Sequence, residues 1–329
     1  MISVLCVTNR VGGLDLLWDS MRAQTFRDFE LVLVDSVAWW RGPWVRKKIF
    51  NDLGAMPGLP QWRRDQWFPV TYVDPGKTDR FSPAYMLSQN LGIEHARGET
   101  ILYLCDYSYL HPDCLAVHAA AQREKPGPFM ADYFYRTPPA WKDGLPNYRE
   151  KAPGTLENAE AYGAECAANA ERYEADLKSG ALDPYMWSAF AEPLTPEGVA
   201  ALPVEHEHKP SESDPAHRWN HVSLKNESYP TELLLDMQGH DLEYDQSHGW
   251  QDQELAFRLR DRGIGYRVAP PGIGMVSVVN PRAQSNIKRL VKPLFYNQEL
   301  CFNSRRAELH LPVNPGFSLR ERRERRLRG

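Results

Sequence analysis

The sequence predicts an α/β protein built on an open, largely parallel sheet with helices on both faces. Short, nearly continuous apolar runs at Ile2 to Val7, Phe29 to Val34 and Thr100 to Cys105 fit strands buried on both sides. Between the first two runs, Leu14, Leu17, Trp18 and Met21 recur at helical spacing. Strand, helix and strand within about thirty residues make a right-handed βαβ unit. Each apolar run also ends in polar residues: Thr8-Asn9-Arg10, Asp35-Ser36 and Asp106-Tyr107-Ser108. Open α/β sheets bind ligands beyond the carboxyl ends of their strands, so these residues are where a site is expected.

The remaining elements follow in order. Val70 to Val73 is a third strand, followed by the turn Asp74-Pro75-Gly76. Ser82 to Ala96 reads as a helix with Met86, Leu87, Leu91 and Ile93 inward, and Gly98 follows it. Residues 1–136 thus form one half of a domain. Residues 137–218 read as an insertion: Pro and Trp dominate its start, and Thr155 to Ser179 is Ala- and Glu-rich and predicted helical. Its end, with Glu205, His206, Glu207, His208, Asp214 and His217, reads as a polar loop rather than a metal site, because the spacing is irregular. Residues 219–316 return to a compact pattern, with short strands, Pro turns and a basic helix near Ile287 to Val291. Within them an amphipathic helix starts near Asp252, buries Leu255, Ala256 and Leu259, and stops at Gly263. Residues 317–329 form an Arg-rich tail.

Composition excludes several classes. The chain has 329 residues, 42% hydrophobic and 25% charged, which are ordinary globular values. Its net charge of −4 argues against a global polycation, although the tail holds six arginines against two glutamates. Ten Trp and fifteen Tyr suit stacking on sugars or bases as well as core packing. Five scattered cysteines without a CxxC pair point to a reduced chain with no zinc site. Met1 leads straight into a strand, and no apolar run approaches the ~18 residues of a membrane span. A cytoplasmic protein is therefore expected.

The run Trp250-Gln251-Asp252-Gln253-Glu254-Leu255 carries the clearest chemistry. It places Asp252 at a helix N-terminus, where the backbone dipole favours a charged carboxylate. Such a group beside a cavity can take the proton from a hydroxyl nucleophile. The plain alternative is a helix cap.

Three segments in order resemble the GT-A glycosyltransferases of the family 2 type, inverting enzymes that use nucleotide sugars. The first is Ile2 to Arg10 with Ser20, Gln24-Thr25-Phe26 and Phe29 to Ser36. The second is Asn90 to Glu99, Ile101 to Asp106 and His111-Pro112-Asp113. The third is Asn226-Glu227-Ser228 through Gly239-His240-Asp241 to Trp250-Gln251-Asp252 and Gly263. They cover about half the chain and leave residues 137–218 outside.

The resemblance implies a GT-A fold, a nucleotide-sugar donor (expected to be a UDP-sugar) and an inverting hexosyl transfer to an acceptor hydroxyl. It implies Asp252 as catalytic base, with Gln251 standing where the family has Glu. Thr8, Arg10 and Asp35 would line the nucleoside pocket. Asp106, Asn90 and the loop cations Lys77 and Arg80 would serve the diphosphate. Asp241, Trp250 and Gln251 would face the acceptor, Asp241 by shaping its loop. A diphosphate leaving group needs positive charge, so a divalent cation, Mn²⁺ or Mg²⁺, is expected at Asp106. Here the family's Asp-x-Asp is Asp106-Tyr107-Ser108, without the second carboxylate, and Asn280 replaces a later His ligand. Ser108 and Asn280 are then the substitute ligands.

Two other readings follow from the same features. The Arg-rich tail and aromatic surplus suit a glycosyltransferase acting on modified bases in DNA. The departures at Ser108 and Gln251 suit a glycosyltransferase-like binding protein without catalysis. A nucleotidyltransferase is disfavoured because Gly12-Gly13 is no Gly-rich phosphate loop. The plain alternatives are turn residues for Asp35 and Asp106, and solvated loop charges for Lys77 and Arg80.

Overall fold

The computed structural model describes residues 1–8, 14–36, 68–76, 85–136, 197–198, 204–208, 222–246, 251–278 and 313–328. Strand β1 (Ile2–Thr8) lies between β2 (Phe29–Asp35) and β4 (Thr100–Cys105), parallel to both. β3 (Val70–Val73) adds parallel to the outer side of β2. Helix α1 (Leu14–Ala23) connects β1 to β2, and α2 (Tyr85–His95) lies between β3 and β4. The parallel half of the sheet is therefore the one expected from the apolar runs.

Beyond β4 the sheet becomes mixed. β9 (Glu227–Pro230) runs antiparallel to β4 and to β6 (Phe129–Met130), and β10 (Arg267–Val268) runs parallel to β6. Among the described residues the strand order is β10-β6-β9-β4-β1-β2-β3. A second sheet, ordered β5-β11-β7-β8, joins β5 (Ser108–Leu110), β11 (Met275–Val278), β7 (Tyr133–Arg136) and β8 (Val204–His208).

Alternation along the central strands divides the core in two. Leu5, Val7, Val32 and Val34 join Met86, Leu91 and Ile93 of α2. The same core takes Leu234 and Leu235 of α4 (Thr231–Asp236), Leu255 and Leu259 of α5 (Gln251–Asp261), and Leu319 of α6 (Leu319–Arg328). Ile2, Val4, Cys6, Leu31 and Leu33 join Leu17, Trp18 and Met21 of α1, with Cys114 and Leu115 of α3 (Cys114–Glu124). Helices thus cover both faces, and each fully buried aliphatic side chain contributes about 1.5–3 kcal/mol. The observed architecture is an open mixed α/β sheet, as predicted.

Two expectations need correction. Glu205 to His208, read as a loop, belong to β8, which pairs antiparallel with β7 at the edge of the second sheet. Polar residues suit an edge strand, where backbone pairing needs no apolar alternation. The Arg-rich segment from residue 317, expected as a tail, forms a helix whose first half packs on the fold. Leu319 is fully buried, Arg322 Nε lies 2.5 Å from Glu94 Oε1, and Arg326 lies 3.8 Å from Glu94 Oε2. Arg320 bridges Glu232 (2.6 Å) and Asp236 (2.7 Å), and Arg323 donates to the carbonyl of Ala96. These arginines fasten α6 to α2 and α4.

Candidate active site at the carboxyl edge of the sheet

The parallel register sets the first part of the site. Thr8 stands opposite Asp35, and Val7 opposite Cys105, so Thr8, Asp35 and Asp106 emerge at adjacent strand ends. All three are buried. The Thr8 hydroxyl donates to Asp106 Oδ2 at 2.9 Å, and the Tyr72 hydroxyl donates to Asp35 Oδ2 at 2.8 Å. Ser36 and Ser88 hydroxyls meet at 2.9 Å and join the end of β2 to α2. Immediately after Asp106, the buried Tyr107 holds φ at +57°. A bulky residue is rare in this left-handed region, and such strain concentrates at functional turns.

The second part comes from the antiparallel strand. β9 places Glu227 opposite Tyr103, so the turn before β9 lies at the same edge as Asp106. The Asn226 N–H donates to the Tyr103 carbonyl at 2.9 Å. The turn holds two non-glycine residues at positive φ, Leu224 at 50° and Asn226 at 55°. Its geometry is fixed by the buried Asn226 amide, which donates to the Asp132 carbonyl at 3.0 Å. The amide oxygen meets Cys114 Sγ and His118 Nε2, each at 3.1 Å. Burial pushes the His118 imidazole down to about 4, so it is neutral at pH 7.

Helix α5 brings the third part. Gln253 Nε2 donates to the Val222 carbonyl at 3.2 Å, which ties the first turn of α5 to the turn before β9. A chain of backbone and side-chain contacts therefore links the end of β4, beside Asp106, to the helix turn that carries Asp252. Tyr85, at the start of α2, senses both regions. Burial first, then the neighbouring Cys105 and Asp252, hold its phenol well above the usual range.

Asp252 lies one residue inside α5 and is partly exposed. Among the described residues nothing hydrogen-bonds to its carboxylate, so it is not serving as a cap. Burial raises its pKa to about 6, and the positive charge of Lys225 acts in the opposite direction. A base with a pKa near the working pH is well matched to removing a hydroxyl proton. Behind it, burial raises Glu227 to about 8, and Asp252 adds to that effect. Glu227 accepts from the Ser223 N–H and the Tyr229 hydroxyl, each at 2.8 Å, and Tyr229 meets the Tyr266 hydroxyl at 2.7 Å.

The other expected residues are placed as follows. Arg10, Lys77, Arg80, Trp250 and Asn280 lie outside the described residues. Gln251 opens α5 and is partly exposed. The fully buried Asn90 amide grips the His240 backbone from both sides, accepting from N–H at 2.8 Å and donating to C=O at 2.9 Å. It fixes the chain at His240. The close approach also requires Gly239, where an added Cβ would sit 2.2 Å from Asn90 Oδ1. Asp241 is buried, and its Oδ1 accepts from the Glu243 N–H at 3.1 Å, turning the chain into a 3₁₀ helix at Leu242–Gln246. Ser108 is buried, with its hydroxyl 3.5 Å from the Asp106 carbonyl.

No group of three or more His, Cys, Asp or Glu side chains able to hold a metal comes together among the described residues. Asp106 supplies a hard carboxylate at the edge. That donor set fits Mg²⁺ or Mn²⁺ only where substrate phosphates and waters complete the coordination.

Sequence reasoning missed Lys225, Glu227, Tyr85 and Asp132. The buried Asp132 stands two residues beyond the short strand β6, the pattern that marks Asp106 beyond β4. A two-residue apolar run was too short to announce a strand. Lys225 and Glu227 have no such signal, because only the antiparallel pairing of β9 brings them to this edge.

No model of a known protein family matches the chain, and no curated protein sequence matches it. Among solved structures, those of S. aureus TarS match this chain at low similarity. One has a TM-score of 0.44 and 16% identity, covering 88% of this chain and 38% of TarS. This chain therefore spans well under half the length of that protein. TarS 1-349 in complex with UDP gives a TM-score of 0.44, 15% identity, and coverage of 97% and 74%. The complex with UDP-GlcNAc gives 0.44, 14%, and coverage of 97% and 75%.

Proposed function

We propose that this chain is a GT-A-type glycosyltransferase that moves a hexosyl group from a nucleotide sugar, a UDP-sugar, to an acceptor hydroxyl with inversion. One observation carries the reading: the contacts from β4 through the turn before β9 to α5 bring Asp106 and Asp252 to a single edge of the sheet. An open mixed sheet with helices on both faces is consistent with the GT-A fold. Carboxyl-edge placement is also where such sheets bind their ligands.

In this reading Asp252 accepts the proton of the acceptor hydroxyl as its oxygen attacks the anomeric carbon. The bond from that carbon to the diphosphate oxygen breaks on the opposite face, and the electron pair leaves with the nucleoside diphosphate. A divalent cation, when bound, neutralises the charge gained by the diphosphate. Asp106 would hold that ion, and the Thr8 hydroxyl holds Asp106 in place. Asp35 and its Tyr72 partner would meet the nucleoside. The oxocarbenium-like transition state makes hydroxyl contacts to the sugar important for rate.

The test is thermal shift with UDP-sugars, with and without Mn²⁺, followed by assay of UDP release. Ligand binding to the folded state raises the melting temperature by mass action. Stabilisation by a UDP-sugar, with UDP release that EDTA suppresses, is the expected result. Absence of both across a panel of nucleotide sugars overturns the proposal.

A further inference from the structure

Helix α3 presents a polar row to the core that the reaction scheme leaves unexplained. Cys114, His118 and Gln122 stand four residues apart, so they share one face of the helix. All three are buried, as are Asn226 and Ser228 opposite them. Buried polar groups are costly unless paired, and this row is paired along its length. Gln122 Nε2 donates to the Gly127 carbonyl at 2.7 Å and to Ser228 Oγ at 3.0 Å, and Gln122 Oε1 accepts from the Gly127 N–H at 3.1 Å. Ser228 Oγ meets His118 Nδ1 at 2.8 Å, and His118 Nε2 meets Asn226 Oδ1 at 3.1 Å. Cys114 Sγ donates to the same oxygen at 3.1 Å, and Asn226 Nδ2 donates to the Asp132 carbonyl at 3.0 Å.

Backbone groups at the two ends set the direction of the bonds between them. The Asp132 carbonyl can only accept, so it draws Asn226 Nδ2 and leaves Oδ1 as the acceptor for His118 Nε2–H. At the other end the Gly127 N–H can only donate, which fixes Gln122 Oε1 on it and turns Nε2 towards Ser228. Burial keeps the imidazole neutral, so its Nδ1 accepts, and Ser228, already receiving from Gln122, gives it the hydroxyl proton. We propose that this row is a one-way hydrogen-bond relay from Gln122 through Ser228, His118 and Asn226 to the Asp132 carbonyl, and that it makes Asn226 the positioning residue that sets α5 against the end of β4. Asn226 is where the relay meets the site. Its N–H binds the Tyr103 carbonyl at 2.9 Å, near the end of β4. Its φ of 55° is a left-handed conformation that asparagine tolerates better than most residues. The turn it closes offers the Val222 carbonyl to Gln253 at 3.2 Å, next to Asp252. The consequence for transfer rests on the reading of Asp252 as the base, whereas the relay itself does not.

The experiment has two readouts on the full chain. The ¹⁵N NMR signals of the His118 imidazole at neutral pH, assigned by their loss in His118→Gln, are expected to show the neutral Nε2–H form alone. A proton on Nδ1 overturns the relay. Asn226→Gly keeps the positive φ and removes the carboxamide. Hydrogen exchange of the Leu255 and Ala256 amides, which bond to the first turn of α5, is expected to speed up by about tenfold. Turnover should fall by about 10–100-fold with donor KM unchanged, as for a small misplacement of a reacting group. Where Asn226→Gly does not fold, Gln253→Met cuts the same link at its partly exposed end and should give the same exchange and the same split. Exchange in α5 equal to the wild type overturns the positioning role, and so does a lower melting temperature with unchanged kcat per folded molecule. Faster exchange without transfer from any nucleotide sugar upholds the inference about Asn226 and overturns only the functional reading.

Discussion

The two edges of the sheet treat carboxylates in opposite ways. At the amino edge, Glu30 is fully buried and fully matched. The Ser3 hydroxyl and the Arg97 N–H each reach its Oε1 at 2.6 Å, and the Arg97 guanidinium reaches Oε2 at 2.7 Å. At the carboxyl edge, Asp252 is partly exposed and accepts no hydrogen bond among the described residues. A matched acid organises structure, because its charge is already satisfied. An unmatched acid kept near the titration range is available to take a proton. Asp35 and Asp106 lie between these extremes, buried at the same edge as Asp252 and each receiving a hydroxyl.

The largest effect that breaks this comparison is on Asp252. Asp252→Asn is expected to lower kcat by about 10²–10⁴, the usual worth of a general base, while leaving donor affinity and melting temperature nearly unchanged. Wild-type kcat/KM should rise with pH through about 6, because the carboxylate is the active form. A flat profile between pH 5 and 7 would remove Asp252 from the proton transfer.

Arg97→Ala should do the reverse. It removes a half-exposed guanidinium from buried Glu30 while Ser3 and the residue-97 N–H still bond that carboxylate, a loss of about 1.5 kcal/mol in urea unfolding. Transfer per folded molecule should hold. Equal loss of activity and stability would show that the two edges are not separable.

Glu227 sharpens the comparison through pH. Its folded pKa, about 8, lies above its ordinary value of 4.5, so the folded chain holds a proton that the unfolded chain has released. Stability from this group is fully present below about 4.5 and is lost as pH rises towards 8. His118 works in the other direction, losing stability as pH falls from 6.5 to about 4. Chemical denaturation of Glu227→Gln should therefore lack the decline between pH 5 and 8 that the wild type shows. A slope equal to the wild type would place the neutral carboxyl elsewhere.

Thr8→Val is the smallest change. It removes the hydroxyl bonded to Asp106 and is expected to cost about 1 kcal/mol of stability. Donor affinity measured by calorimetry should weaken more than stability does if Asp106 serves the diphosphate. Unchanged affinity would separate this hydrogen bond from donor binding.

Much of the parallel half was legible in the sequence. Runs such as Phe29 to Val34 are apolar apart from Glu30 because both faces of the strand are buried, and the polar residues after each run mark where the chain leaves the sheet. The positions of Asp35 and Asp106 at strand ends and of Asp252 in the first turn of a helix were legible for the same reason. For Asn90 only the fold shows the amide clamped on the His240 backbone, a partner far away in the chain. The ion pairs of the C-terminal arginines were not legible, since Glu94, Glu232 and Asp236 are distant in the chain.

By itself the sequence determined the local periods, the strand ends and the carboxylates standing there, because hydrophobic alternation and turn chemistry act within a few residues. Tertiary structure alone decided that β9 runs antiparallel, which carries Lys225 and Glu227 to the edge occupied by Asp106 and Asp252. It also decided which charges are spent and which remain reactive, because burial and partner distance are properties of the folded chain rather than of any segment.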